Sequence, residues 1–174
     1  MSCTFRKGVL LKMKMMKKSL FLTKSAAVLL LLSLMLTMFT GCGKKAVTTD
    51  DFKALATEKG LSCTDVLEQF VAYAFIKEAT IAAPSDLSYQ IEFYVLSDES
   101  YAQSFFQTSQ TNFDMNKSEG YTDFSKSGKG YARYSLNSGG RYMFVEYIGN
   151  TMLYVNTDDS NQSAVDAFIK ELKY

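Results

Sequence analysis

The sequence predicts an α+β domain: a single antiparallel sheet with helices packed mainly on one face, a two-layer α/β sandwich. Three observations lead there. Short strand-like segments come in runs and do not alternate one-for-one with helices, as a parallel sheet would require. Two turn pairs, Gly139-Gly140 and Gly149-Asn150, suit two-residue hairpin loops between consecutive strands. Three stretches with apolar residues at helical spacing separate or flank the strand runs. At 174 residues the chain has length for one domain.

The first helix is expected over about 50–59. Thr48 or Thr49 is placed to cap it, Asp50 and Asp51 suit its positive end, and Gly60 is placed to stop it. Residues 61–83 are ambiguous. Val66, Leu67, Phe70, Val71, Ala74 and Phe75 recur at helical spacing, yet the β-branched and aromatic content favours strands near 61–67 and 74–82. Ala83-Pro84-Ser85-Asp86 marks a turn. Tyr89 to Leu96 alternates as a half-buried strand. Ser97 is then expected to cap a second helix with Asp98 and Glu99 in its first turn, ending near Asp114. Residues 116–130 read as a polar, glycine-bearing mobile loop with a short strand around Tyr121 to Phe124. A three-strand meander follows over Tyr131–Asn137, Arg141–Ile148 and Thr151–Asn156. Asp158 or Asp159 is expected to cap a last helix whose apolar face is Val165, Phe168, Ile169 and Leu172. The two helix-plus-strand halves have the layout of a weak repeat, without residue-level identity.

The first third of the chain is not globular in composition. Ser25 to Gly43 carries no charge, and Lys12, Lys14, Lys17, Lys18 and Lys24 precede it. A basic stretch, an apolar run and then small residues is the layout of a secretory signal peptide, expected over 1–41. Met13, Met15 and Met16 each begin a more typical signal peptide than Met1 does. Phe39-Thr40-Gly41-Cys42 resembles the lipobox of bacterial lipoproteins, with Phe39 where Leu is usual. The resemblance implies a thiol of Cys42 carrying diacylglycerol, cleavage before it, and a lipid anchor on the outer face of the cell membrane. Two other readings of the same residues stand beside it: an ordinary cleavage at the small residues, and an uncleaved span near the ~20 residues a bilayer needs. Residues 42–48 are expected to form the lipidated tether, and Gly43 to Val47 reach at most about 17 Å. Residues 49–174 form the domain. In size and layout the mature chain resembles the small Gram-positive lipoproteins of unknown function, a likeness that implies no reaction.

Charge divides with the signal peptide. From Cys42 onward there are 12 Lys and Arg against 18 Asp and Glu, so the net is 12 − 18 = −6, although the whole chain is +1. Such a domain lacks the basic excess that replaces counterions on nucleic acid, so no nucleic-acid partner is expected. It is also expected to stand off anionic lipid headgroups. With Cys3 in the head and Cys42 acylated, Cys63 is left alone, expected as a small buried residue on a strand.

The chain contains no His, which removes the commonest general base, the Ser-His and Cys-His pairs, and imidazole metal ligands. No catalytic residue, cofactor or metal site is expected. Ser125-Lys126-Ser127-Gly128-Lys129-Gly130 has glycines and a lysine but not the spacing of a phosphate loop. The acidic pairs Asp50-Asp51, Asp98-Glu99 and Asp158-Asp159 all fall at expected helix starts, where capping explains them.

If Gly139-Gly140 is a two-residue loop, positions summing to 279 lie opposite each other. Arg133 then faces Glu146 on the side that carries Tyr131, Tyr142 and Phe144. Arg133, Glu146, Tyr131 and Tyr142 are the candidate surface ligand contacts; the plainer reading is a cross-strand ion pair. The functional expectation is a non-enzymatic cell-envelope module, held to the membrane lipid by its acylated cysteine, that binds an envelope protein, peptide or small ligand. The alternative is a cell-envelope hydrolase using carboxylates or a Ser-Lys pair.

Overall fold

The structure, a computed structural model, describes residues 44–174. The expected signal peptide, its alternative starts and the lipid site Cys42 lie outside the described residues. Helix α1 (Thr49–Glu58) comes first, then strands β1 (Ser62–Asp65), β2 (Ile76–Ala83) and β3 (Ile91–Leu96). Helix α2 (Glu99–Asp114) follows, then β4 (Thr122–Gly128), β5 (Tyr131–Ser138), β6 (Arg141–Ile148), β7 (Thr151–Asp158) and α3 (Gln162–Leu172). The seven strands form one sheet in the order β1-β2-β3-β7-β6-β5-β4, antiparallel throughout. The α+β class is as the sequence predicts.

The layering is fuller than a two-layer sandwich. Helices α1 and α3 share one face, where Phe52 stacks on Phe93 at 5.0 Å and meets Phe168 edge-on at 5.6 Å. Helix α2 covers the opposite face, burying Ala102, Phe106 and Phe113 against Tyr134, Met143, Val145, Tyr147 and Met152. The reason lies in β6. Its Phe144 and Ile148 point to one core and its Met143, Val145 and Tyr147 to the other, so seven of its eight residues are buried. A strand apolar at both parities needs cover on both faces. The same holds for β3, where Tyr94 and Leu96 are buried opposite Ile91 and Phe93, so this strand is not half-exposed. The arrangement also rules out a two-fold repeat. The last strands of the two halves, β3 and β7, pair antiparallel, and a two-fold axis relating them would put α1 and α2 on one face.

Local chemistry explains the element ends. Thr48 caps α1 by accepting from Asp51 N, and Asp51 returns the bond to Thr48 N, a reciprocal capping box. Gly60 leaves the helix at φ 73°. The cap of α2 is Asp98, not Ser97: its carboxylate accepts from Ser100 N at 2.8 Å and Tyr101 N at 3.3 Å. Asp158 and Asp159 do not cap α3 with their side chains. A 3₁₀ turn over Asp159–Asn161 intervenes, and Asp158 pairs with Arg141 instead. The β5–β6 turn has positive φ at both Gly139 and Gly140, the type I′ requirement.

The largest departure from expectation is β4. Residues 122–128 are not loop; they pair with β5 along their whole length, from Thr122↔Asn137 to Gly128↔Tyr131. All seven are exposed. A sheet-edge strand wet on both faces has no apolar alternation, so its strand state comes from pairing and leaves no hydrophobic signature. The preceding segment is held too: Ser138 Oγ donates to Asn116 O and accepts from Ser118 N, each at 2.8 Å.

Within the segment expected as the lipidated tether, the described residues are docked on the domain. Ala46 and Val47 pack on the core beneath α1, and the Lys44 ammonium reaches Glu146, 102 residues on. Among the described residues no helix is long and apolar enough to cross a membrane.

Candidate functional site

The hairpin register is the one the turn dictates: Arg133 lies opposite Glu146, on the face of Tyr131, Tyr142 and Phe144. The pair is far from an ordinary exposed ion pair. Glu146 is fully buried between Phe144, Ile148 and Leu153, and Arg133 donates Nε to its Oε2 at 2.6 Å. Lys44 supplies the second cation, at Oε1. One buried carboxylate therefore holds two cations, and each of its oxygens is satisfied. Arg133 spends a further donor on the main-chain oxygen of Tyr174 at 2.8 Å and stacks over Phe144, 5.2 Å from the ring centre.

Tyr174 is itself locked. Lys173 takes the left-handed conformation at φ 61°, and Tyr174 N then donates to Ile169 O, turning the tyrosine back into the core. Its hydroxyl meets Thr151 Oγ at 2.8 Å. Burial pushes the Tyr174 phenol upward. Tyr142 is raised for the same reason and, second, because its hydroxyl donates to Asp166 at 2.6 Å.

Above this floor lies a cleft of about 490 Å³ between α3 and the open part of the β4–β6 face. Arg133 and Tyr142 line it, joined by Lys44, Asp166, Lys170 and Lys173, with Phe124 and Phe144 as aromatic wall. Of the four residues singled out from sequence, two reach the cleft. Glu146 lies beneath it as the counter-ion. Tyr131 does not line it; its ring lies across Gly128 on one side and under the Lys44 ammonium on the other. Lys44, Lys170 and Lys173 were not legible as site residues. The nearest signal was their sign: they are basic residues in an acidic domain.

The Ser-Lys idea fares poorly in this geometry. Successive residues of β4 point to opposite sides, so Ser125 and Ser127 face away from Lys126. Among the described residues no group of three or more His, Cys, Asp or Glu is placed to hold a metal ion. Cys63 is half-buried on β1, and burial pushes its thiol up, away from the reactive thiolate.

A second polar knot escaped the sequence reading. Tyr134 donates its hydroxyl to Asp114 at 2.5 Å, and Lys117 bridges Asp114 at 2.9 Å and Asp123 at 2.8 Å. Burial, then the Asp114 bond, pushes Tyr134 up to about 12. The Tyr134 hydroxyl and then Lys117 hold Asp114 below the ordinary carboxylate value. With its members bonded to one another, this knot is a clasp between the end of α2 and β4.

No family model matches the sequence. No curated protein matches it either. A solved structure with some likeness is the extracellular domain of PknH from Mycobacterium tuberculosis. It is 10% identical, the match covers 72% of this chain and 91% of that one, and the TM-score is 0.35. A score that low transfers neither fold nor function to this chain.

Proposed function

We propose that this chain is the precursor of an extracytoplasmic lipoprotein, anchored through Cys42 on the outer face of the membrane. Its domain acts as a non-enzymatic binding module that receives its ligand in the cleft between α3 and β4–β6. The observation that carries the binding role is the Arg133 arrangement. A guanidinium held from below by a fully buried carboxylate lines an open cleft with aromatic walls. A side chain fixed by two bonds and a ring loses little freedom when a ligand meets it, which favours recognition at this cleft. The lipobox resemblance and the basic-then-apolar head support the anchor.

Two measurements test the two halves. Intact mass of the protein recovered from membranes reads diacylglycerol on Cys42. Cys42→Ala should lack that mass and keep the 1–41 segment, because cleavage follows lipidation; Cys42→Ala protein of the same processed mass as the parent would end the anchor reading. A photocrosslinker at Phe124, activated in intact cells, should give a discrete adduct that Arg133→Met abolishes. An adduct pattern indifferent to Arg133 would end the cleft reading.

A further inference from the structure

We infer that the cleft opens onto the membrane and that its rim of lysines docks on the phosphates of anionic lipid headgroups. The inference rests on the anchored-lipoprotein reading and adds an orientation and a ligand chemistry to it.

Covalent reach supplies the first support. Cys42 is two residues before Lys44, and two residues extend at most about 7 Å. Lys44 is not free to wander: its ammonium is bonded to buried Glu146, and Ala46 and Val47 after it are packed on the core. A lipid on Cys42 would therefore keep Lys44, and with it the cleft that Lys44 lines, within this covalent reach of the acylated residue. A long tether would have left every face of the domain equally available, whereas this one does not.

Charge supplies the second. Lys170 and Lys173 line the same cleft as Lys44, and Lys173 with Lys45 lines the neighbouring one, of about 470 Å³, beside the incoming chain. Lys126 projects from β4 on the face of Arg133, its cross-strand partner. Besides Lys44, which is spent on Glu146, four lysines thus gather at the two clefts and the adjoining strand: Lys126 on β4, Lys170 on α3, Lys173 just after it, and Lys45 on the chain's approach to α1. Of the carboxylates at the two clefts, Glu146 is paired with Arg133 and Lys44 and Glu171 with Lys59, while Asp166 and Asp51 accept only from the Tyr142 and Thr48 hydroxyls and keep their charge, two against four lysines. Among the described residues neither Lys170 nor Lys173 has a carboxylate within salt-bridge distance.

The net charge of −6 argues for repulsion only if all of it acts at the surface. Screening limits each charge to about 8 Å at physiological salt, so the rim beside the anchor decides the sign. Each basic side chain near an anionic surface strengthens attachment about fivefold, which corresponds to ~1 kcal/mol.

The test uses the full-length lipidated protein in vesicles of phosphatidylcholine, with and without phosphatidylglycerol. A membrane-impermeant amine reagent labels exposed lysines, read peptide by peptide, while intact mass reports the lipid on Cys42. The expected result is labelling of Lys170, Lys173 and Lys126 several-fold lower with phosphatidylglycerol, restored by high salt, while Lys77 on β2 stays unchanged. The Lys170→Glu/Lys173→Glu variant should lose the protection at Lys126. Lipidated protein with equal labelling in both vesicles would overturn the headgroup docking and leave the anchor standing. Protein without diacylglycerol would overturn the anchor and the docking with it.

Discussion

Removing the Arg133 side chain should destabilise the domain far more than an ion pair at a sheet surface ordinarily would. In Arg133→Ala, Glu146 keeps Lys44 but loses its bond from Arg133, and the Tyr174 main-chain oxygen loses its donor. Breaking a buried pair by deleting one partner costs about 3–5 kcal/mol. Arg133 is 27% exposed and Lys44 remains, so the lower end applies, about 3 kcal/mol. For a domain of this size that corresponds to a fall in Tm of roughly 10 °C. Thermal unfolding followed by circular dichroism reads it. The double variant Arg133→Met/Glu146→Met removes both charges and keeps the volume. It should recover part of the loss: a buried ion pair and a packed apolar pair are close in stability, while Lys44 loses its carboxylate and the Tyr174 main-chain oxygen its donor. A loss below about 1 kcal/mol in Arg133→Ala would refute the reasoning, since an exposed pair contributes that much at most. So would single-variant losses that simply add in the double.

Gly128→Ala should push the Tyr131 ring aside. The added methyl would lie 2.8 Å from Cζ and 2.9 Å from the hydroxyl oxygen, costing about 1–2 kcal/mol, and Tyr131→Ala in the same chain should relieve it. Lys173→Gly should raise stability by about 0.5–1 kcal/mol in a denaturant titration, because φ 61° strains a residue with a Cβ. Alkaline pH should unfold the domain cooperatively. Tyr134 ionises near 12 when folded against 10 when free, so its contribution is complete below pH 10 and lost as pH rises to 12. Tyr94, Tyr142 and Tyr174 are shifted upward as well, chiefly by burial. Ionisation of Tyr134, followed at its own ring by NMR, should therefore appear together with loss of structure; Tyr134 ionised at pH 10 in a still-folded protein would contradict it.

What the sequence disclosed follows from where the information is stored. Gly139-Gly140 fixed a register because only a two-residue turn satisfies both positive φ angles, and that register placed Arg133 opposite Glu146. Helix α1 was readable because Thr48 and Asp51 cap it locally. The second layer of helix was written in β3 and β6, whose apolar residues occupy both parities; reading Tyr94, Met143 and Val145 as a second core face would have found it. Strand β4 carries no such mark, because its side chains are wet on both faces and its order comes from β5. The docking of Lys44 on a carboxylate 102 residues away has no local correlate at all. The cleft was therefore half legible: its floor came from a turn, while its rim is assembled from segments that meet only after folding.

The sheet order has a consequence for biogenesis. Strand β7, the last of the seven in the chain, lies at the centre of the sheet, between β3 and β6. Until it arrives, Phe93 and Tyr94 have no neighbour on that side, and the strand runs on either side of it remain separate sheets. Closure joins segments far apart in sequence, which makes it slow and defers it until β7 itself is present. On the export proposed above, a narrow translocation channel requires the chain to stay threadable until β7 has entered. A sheet whose keystone is synthesised last keeps it so.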